Sequence, residues 1–427
     1  MKKIVCLCFI FLLVLSLHLF AAGQKDAARD WKTESLTIRL ESLAWILNKF
    51  PVADAANRFM KDHPNIKVQV NANQDGSLKT YLLNWSTENV EVDVAFGGDA
   101  GYVAPLAYKG LLEPWNEFYK GDYSRDHFIT FVTELPKIKE GYYATPLMVE
   151  GMALEANKKM MVDAGLASNG KPLYPKNLEE LYTFAKKLTK GTGDIKDVFG
   201  FSWNFSVFGA DAFFSAVQSQ GGKAFNTDGS PNFDEPQIVT IFDFIKRVTA
   251  DGWGSKSTMT DGNAGRAGLM ARKVAIIYES SARTIEAKEK IGDESTILPF
   301  PGQVEKGSFI YSHYAYVPKG CKVKDAVYAF MREQVFAKEF AEFGAEKFGK
   351  LPSMKKLYDG LGPDFNEIRK WINNSSTIGS LPWVDRGSLD SLLFELEQTV
   401  VTSGMTAKEA AQQLKERAAK LNLNVVK

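Results

Sequence analysis

Polar side chains follow several predicted strands of this sequence, at positions where α/β proteins commonly bind ligands. Asp99 comes after a short apolar strand pattern at residues 92–96 and after the pair Gly97-Gly98, which lets the backbone approach a ligand closely. Capping of the next helix is the structural alternative for Asp99. Acids, amides and hydroxyls at strand ends suit a small polar ligand. The other candidates of this kind are Gln74, Asp75, Glu279, Ser281 and Arg283.

Two arginines, Arg283 and Arg386, widen the range of ligands that the sequence allows. A guanidinium group grips a carboxylate or phosphate through two parallel hydrogen bonds as readily as it donates to hydroxyls. An anionic ligand is therefore an alternative that the sequence allows. A surface salt bridge is the more common role for either arginine.

The sequence shows no pattern typical of a catalytic or metal centre. It has 4 histidines and 3 cysteines, and it lacks the His-Glu-x-x-His, Gly-x-Ser-x-Gly, phosphate-loop and paired-cysteine patterns. We therefore expect no enzyme activity, no cofactor and no bound metal. An exported glycosidase using Asp99 and Glu150 as its carboxylate pair is the enzymatic alternative. An adhesin or structural surface protein is the other.

The elements that must position these groups alternate between strands and helices, which predicts an α/β protein. Strand patterns at residues 35–43 and 66–71 flank a helix pattern at residues 51–62 and form a β-α-β opening. Two strand patterns come late, at residues 273–278 and 309–317. Further helices are predicted at residues 102–109, 178–188, 210–220, 236–250, 323–343, 388–402 and 406–421.

Residues 1–23 have the order of a secretory signal peptide: Lys2-Lys3, then an apolar run at residues 4–20, then Ala21-Ala22-Gly23. We expect a soluble, exported (periplasmic) chain that begins near Gln24. A retained membrane anchor is the alternative, since the run of about 17 residues lies at the lower limit for crossing a bilayer.

Cysteine and charge counts restrict the exported chain further. Cys6 and Cys8 lie inside the apolar run, so neither stands at the cleavage point as a lipoprotein cysteine, and only Cys321 remains after cleavage. The signal contains 2 of the 52 basic residues and none of the 51 acidic ones, which leaves a net charge of minus one. A near-neutral chain indicates neither a nucleic-acid partner nor an anionic membrane surface. Its length favours two domains.

Several segments, in their order and spacing, resemble the extracellular solute-binding proteins of the maltose-binding type, a family of carbohydrate importer components. The resemblance implies a two-lobed periplasmic-binding-protein fold, with both lobes discontinuous, hinge-connected and closing on a ligand cleft between them. It assigns residues 24–146 and 273–318 to the first lobe, and residues 147–272 and 319–427 to the second. The segments that carry it are residues 93–114 (DVAFGGDAGYVAPLAYKGLLEP), 141–158 (GYYATPLMVEGMALEANK), 164–188, 221–244, 270–283 (MARKVAIIYESSAR), 314–319 (YAYVPK) and 349–353 (GKLPS).

The same resemblance implies the function and adds site residues. A monomeric protein of this type captures a small solute, here a mono- or oligosaccharide by preference, and delivers it to the membrane permease of an ABC importer. Sugars need flat aromatic surfaces beside paired polar groups. A peptide, a polyol phosphate or a metal chelate is the alternative ligand. The residues placed at the cleft by resemblance are Trp45, Glu150, Trp203, Phe208 and Trp383; core packing is the alternative role for each aromatic residue.

Overall fold

The computed structural model of the chain describes residues 30–73, 81, 84–87, 90–191, 196–358, 361, 368, 378–379 and 383–425. The strands in these ranges are β1 Leu36–Leu43, β2 Ile66–Asn73, β3 Val94–Phe96, β4 Lys137–Ile138, β5 Gly141–Tyr142, β6 Thr145–Asn157, β7 Ala167–Ser168, β8 Lys171–Pro172, β9 Phe199–Ser202, β10 Gly254–Ser255, β11 Val274–Ser280, β12 Ser295–Leu298, β13 Phe309–Tyr316, β14 Leu351–Pro352 and β15 Ile378–Gly379.

Helices cover most of the remaining described chain. The α-helices are α1 Ala44–Lys49, α2 Val52–Asp62, α3 Ala100–Tyr108, α4 Thr130–Glu134, α5 Lys158–Asp163, α6 Leu178–Leu188, α7 Gly209–Ser219, α8 Gln237–Ala250, α9 Ala264–Met270, α10 Thr284–Ile291, α11 Gln303–Lys306, α12 Lys324–Phe330, α13 Lys338–Phe348, α14 Arg386–Thr402 and α15 Ala407–Ala418. Short 3-10 helices lie at Gly121–Tyr123, Arg125–His127, Ser257–Met259, Ser281–Arg283, Gly292–Glu294 and Lys355–Tyr358, and a π-helical turn spans Met331–Val335.

The predicted β-α-β opening is confirmed. Strand β1 pairs in parallel with β2, with Leu36 opposite Ile66, and with β3, with Leu40 opposite Val94. Helix α2 covers this sheet with a buried stripe that includes Val52, as the spacing of its apolar residues predicts.

Two long strands connect the halves of the molecule. The sheet order is β10-β9-β11-β6-β13-β3-β1-β2. The first part of β6 pairs with β13, with Thr145 opposite Ala315, whereas its later part pairs with β11, with Ala156 opposite Ile276. All 13 residues of β6 are buried, although Glu150 and Glu155 are among them, so the strand is covered on both faces.

The hydrophobic core divides into two large clusters on either side of these connecting strands. The first cluster takes residues between Leu36 and Met148 and between Tyr314 and Leu357. The second takes residues between Met152 and Phe309 and between Trp383 and Leu423. Each cluster packs helices against its own part of the sheet, which is the two-lobed α/β architecture.

The packing differs from the predicted lobe division at two segments. Strands β11 and β12 lie in the second half of the sheet rather than the first, because β11 pairs with β9 and β6. Helices α12 and α13 pack on the first cluster, through residues such as Val327 and Phe340. An apolar strand or an amphipathic helix carries no local signal for the lobe that it joins, because either core accepts it.

The single helix predicted at residues 323–343 is wrong in its continuity. The chain forms α12, then the π-helical turn, and then breaks at Ala337, whose backbone is extended (φ −79°, ψ 155°), before α13 begins. No proline or glycine lies at the break, and the apolar residues keep their helical spacing across it. The sequence therefore gives no sign that the helix ends there.

Within the described residues no helix combines the length and the apolar character needed to cross a membrane.

Candidate functional site

A buried carboxylate, Glu150, lies where β6 passes from one half of the sheet to the other. It stands opposite Tyr311 of β13, and such cross-strand neighbours share a face of the sheet. Its carboxylate accepts hydrogen bonds from the Tyr311 hydroxyl at 3.2 Å and from the Ser280 hydroxyl, and it forms an ion pair with Lys350. The Nε2 atom of His313 lies 3.6 Å from the same carboxylate.

The Glu150–Lys350 pair is closed off from water, with side chains 3% and 7% exposed. Burial by itself raises the pKa of the Glu150 carboxyl, but the charge of Lys350 and the contact with His313 outweigh it and hold that pKa well below its ordinary value. Burial also lowers the pKa of the Lys350 ammonium, against the attraction of Glu150. The charge of Lys350 therefore favours the ionised form of Glu150, and the ion pair holds that carboxylate in place.

Helix α1 supplies one wall of the site. It begins directly after β1, so Trp45 lies at the strand end, where the ring is half-buried. The Nζ atom of Lys350 lies 5.2 Å from the centre of the Trp45 ring, and the His313 ring packs edge-on against it at 4.8 Å. Lys49 follows four residues after Trp45, which places it on the same face of the helix.

Asp99 reaches the site through the turn predicted from its two glycines. Gly97 has φ +128° and Gly98 φ +75°, and a Cβ on Gly97 would lie 2.4 Å from Cγ of Leu43. Asp99 then caps helix α3, because its Oδ1 accepts a hydrogen bond from the backbone N–H of Gly101 at 2.8 Å. Loss of hydration raises the pKa of the Asp99 carboxyl, and this effect exceeds the opposing charge of Arg386.

The opposite wall carries an arginine held between two acids. Nη2 of Arg386 lies 3.0 Å from Oδ2 of Asp211, and its Nε donates to Oδ1 of Asp390 at 3.1 Å. Burial lowers the pKa of Arg386, but the two acids outweigh it and raise that pKa above its ordinary value. Arg386 is therefore a fixed cation.

The loop before α7 completes this wall. The Phe208 ring lies 6.1 Å from the Tyr311 ring, measured between centres. Gly209 adopts φ +43°, and a Cβ there would lie 2.4 Å from Oδ1 of Asp390. That same oxygen accepts a hydrogen bond from the backbone N–H of Ala210 at 2.8 Å. A residue without a side chain is therefore required where the loop meets Asp390.

These groups surround one cavity of about 470 Å³, within the range of about 300–1,000 Å³ typical of small-molecule sites. Both halves of the molecule contribute to it, over a floor formed by β6 and β13. It combines aromatic faces with four acids and four basic side chains. Its lining residues are Trp45, Lys49, Asp99, Glu150, Ser206, Val207, Phe208, Gly209, Asp211, Arg283, Tyr311, His313, Lys350, Arg386 and Asp390.

The structure brings together six of the residues proposed from the sequence and leaves four elsewhere. Trp45, Asp99, Glu150, Phe208, Arg283 and Arg386 line the cavity, whereas Trp203, Glu279, Ser281 and Trp383 do not. Gln74 and Asp75 lie outside the described residues.

The two tryptophans that miss the cavity are core residues. Trp203 is 2% exposed and donates its indole N–H to Oε1 of the buried Glu397 at 3.1 Å. Trp383, also 2% exposed, packs edge-on against Phe214 and donates to the carbonyl of Gly229 at 2.9 Å. Large aromatic rings stabilise a core as readily as they form a binding surface, so residue type alone does not separate the two roles.

Glu279 and Ser281 have structural partners near the end of β11. Glu279 forms a two-point ion pair with Arg266 at 2.9 and 3.2 Å. The Ser281 hydroxyl accepts a hydrogen bond from the backbone N–H of Gly151 at 3.3 Å. The neighbouring Ser280 is the serine that donates to Glu150, and neither serine is among the lining residues of the cavity.

Sequence reasoning missed several charged and aromatic lining residues: Lys49, Asp211, Tyr311, His313, Lys350 and Asp390. The sequence contains two spacing signals that could have identified some of these residues. Tyr311 and His313 alternate along a predicted strand and therefore share a face, and Asp390 follows Arg386 by one helical turn. Lys350 carries no comparable local signal, because its partner Glu150 is 200 residues away in the chain. Within the described ranges no group of three or more potential metal ligands occurs.

The fold and the cavity define a two-lobed α/β binding protein with its site between the lobes. The chain belongs to the bacterial extracellular solute-binding protein family, whose model matches residues 49–347. Among curated protein sequences none matches this chain.

Solved structures with the same fold match about nine tenths of this chain. The GacH receptor of Streptomyces glaucescens GLA.O, solved unliganded and with acarbose, is 19% identical with a TM-score of 0.74, over 91% of this chain and 98% of that one. The sugar-binding protein MalE of Xanthomonas citri is 17% identical with a TM-score of 0.74, over 89% and 96%. A solute-binding protein of Thermotoga lettingae TMO with bound α-D-tagatose is 17% identical with a TM-score of 0.73, over 91% and 99%.

Proposed function

We propose that this protein is the substrate-binding component of an ABC importer and captures a mono- or oligosaccharide between its lobes. One observation carries the proposal: aromatic faces and fixed polar groups from both halves of the molecule meet in a single cavity. Sugars present apolar C–H faces and a rim of hydroxyls, so they match this combination. Similar structures with acarbose and with α-D-tagatose support a carbohydrate ligand.

The proposed mechanism is closure of the two lobes about β6 and β13, which connect them. A ligand that touches Trp45 on one side and Arg386 on the other favours the closed form, because only that form satisfies both contacts. A membrane permease then recognises the closed protein. We propose that the lobes comprise residues 30–148 with 314–358, and residues 152–309 with 383–425, following the two core clusters.

A glycosidase is the enzymatic alternative to sugar binding, and it needs one carboxyl group that is protonated and able to act as an acid. Glu150 does not meet this requirement, because it is ion-paired with Lys350, which holds its pKa low. Burial raises the pKa of Asp99, but Oδ1 of this residue already accepts from the backbone N–H of Gly101 as the cap of helix α3. Product analysis after incubation with oligosaccharides tests the point. Hydrolysis that disappears in Glu150→Gln would establish the enzyme.

A ligand screen followed by scattering tests the proposed function. A sugar that binds only the folded chain adds about 2.7 kcal/mol to its stability at a concentration 100 times the dissociation constant. Saturation with that sugar should also reduce the radius of gyration. Failure of every mono-, di- and trisaccharide to stabilise the protein contradicts carbohydrate binding, and an unchanged radius at saturation contradicts closure.

A matched pair of tryptophan variants locates the binding surface. Trp45→Ala removes the aromatic wall of the cavity and should weaken sugar binding about tenfold or more. Trp31→Ala is the control, because Trp31 packs edge-on against His63 and does not line the cavity. Equal losses of sugar affinity in the two variants would show that Trp45 does not belong to the binding site.

Export completes the proposal. Residues 1–23 direct the chain across the membrane and are removed, so the mature protein begins near Gln24. Mass determination of the protein recovered from the extracytoplasmic fraction checks the cleavage point. Recovery of the uncleaved chain in the membrane fraction would favour a retained anchor.

A further inference from the structure

Two basic side chains in the cavity, Lys49 and Arg283, differ from the other charges there in having little or no compensation. Lys49 belongs to α1, and Arg283 to the short helix after β11. Resting on the proposed function, we infer that these two cations bind a single carboxylate of the ligand, which makes the preferred ligand an acidic sugar such as a uronate.

The other charges in the cavity are satisfied by protein groups. Glu150 is paired with Lys350 and also accepts two hydroxyl hydrogen bonds. Arg386 is held between Asp211 and Asp390 at 3.0 and 3.1 Å, so that two acidic side chains face one basic side chain. Committed charges of this kind are available to sugar hydroxyls as hydrogen-bonding groups, but they leave no positive charge to bind an anion.

Lys49 has no such partner. Its ammonium lies 5.6 Å from the centre of the Phe348 ring and forms no ion pair with any other described residue. Partial burial lowers its pKa, and the neighbouring positive charge of Arg283 lowers it further. Both cations line the same cavity and are partly removed from water, which favours an anion bound there.

Arg283 is only weakly compensated. Its nearest acid is Glu286, with 3.6 Å between Nη1 and Oε2, which exceeds hydrogen-bond length. The Nε atom of Arg283 is buried and has no hydrogen-bond partner among the described residues. A buried donor of this kind is costly unless a ligand or water accepts from it.

The charge count favours a carboxylate over a phosphate. Glu286 offsets one of the two positive charges, so one remains for the ligand. A carboxylate carries one negative charge, whereas a phosphate monoester carries nearly two at neutral pH.

Matched ligand pairs test the inference by calorimetry on the full mature chain. The pairs are glucose with glucuronate and galactose with galacturonate, together with their di- and trisaccharides, and glucose phosphate is the third arm. Each uronate should bind at least about tenfold more tightly than its neutral partner, as expected for a charge-assisted hydrogen bond. High salt should weaken the uronates more than the neutral sugars.

Charge-removing variants identify the responsible side chains. Lys49→Gln and Arg283→Gln should each weaken binding of the uronate about tenfold more than they weaken binding of the neutral sugar. Lys61→Gln, at an exposed lysine of α2, removes the same charge outside the cavity and should leave the preference intact. Arg283→Lys keeps the positive charge and is the conservative comparison for Arg283→Gln. Urea unfolding verifies that each variant is folded.

The outcomes separate this inference from the proposed function. Neutral sugars that bind as tightly as the uronates, or a preference that survives both glutamine substitutions, would overturn the inference and leave carbohydrate binding intact. Tighter binding of glucose phosphate would overturn the carboxylate assignment. Absence of binding by every sugar, neutral or acidic, would contradict the proposed function and the inference with it.

Discussion

Replacement of Lys350 by methionine should strongly destabilise the folded protein at neutral pH. Methionine preserves much of the volume but leaves Glu150 as a buried carboxylate without its ion-pair partner. Breaking a buried pair by removing one member costs about 3–5 kcal/mol. The hydroxyls of Ser280 and Tyr311 still donate to Glu150, so we expect a value near the lower end of that range.

The pH dependence of this loss provides a second test. In the wild type the pKa of Glu150 is held below its unfolded value, so its contribution to stability is present above the unfolded pKa and disappears as pH falls through the folded pKa. In Lys350→Met the carboxyl loses that support and is more easily protonated. The difference in stability between variant and wild type should therefore shrink on acidification.

Urea unfolding followed by tryptophan fluorescence measures both effects, with the midpoint and the slope reported separately. Lys347→Met is the control, because it removes an exposed lysine three residues earlier and should change stability by less than about 0.5 kcal/mol. Adding Glu150→Gln to Lys350→Met should restore much of the loss, since no buried charge then remains. A Lys350→Met protein as stable as the control, or a deficit that does not depend on pH, would refute the reasoning.

Three further substitutions test other parts of the structure by urea unfolding and ligand titration. Burial raises the pKa of the Glu397 carboxyl well above its ordinary value, so its ionisation destabilises the folded protein as pH rises. The substitution Glu397→Gln removes this ionisation, and the glutamine can still accept the hydrogen bond from Trp203. The variant should therefore become more stable than the wild type towards alkaline pH. Gly209→Ala should cost more than about 1 kcal/mol, because φ is positive and the new Cβ meets Asp390. Asp99→Asn should keep the helix cap and change stability by less than about 0.5 kcal/mol, while weakening ligand binding.

Local patterns predicted much of the fold because secondary structure follows from the spacing of neighbouring residues. The helix predicted at residues 178–188 is α6, Leu178–Leu188, with its apolar residues buried. The glycine pair before Asp99 predicted both the turn and the position of the acid, since the steric requirement is local. The alternation of strands and helices likewise sufficed for the α/β class.

Tertiary structure alone decided which residues meet in the cavity. The partners Glu150 and Lys350 lie 200 residues apart, and no periodicity links positions at that separation. Trp45 and Trp203 are the same residue type and each closely follows a strand, β1 or β9, yet one lines the cavity and the other packs in the core against Glu397. Burial depends on which elements cover a residue, and the sequence around a tryptophan does not specify them.

The lobe to which a segment belongs was also decided by packing. Strand β11 joins the second half of the sheet because its backbone pairs with β9 and β6, although its apolar run would fit either half. The sequence by itself determined many of the helices and strands, the α/β class and the polar residues at several strand ends. Only the folded chain determined their partners, because contacts between distant segments depend on the shape and charge of both.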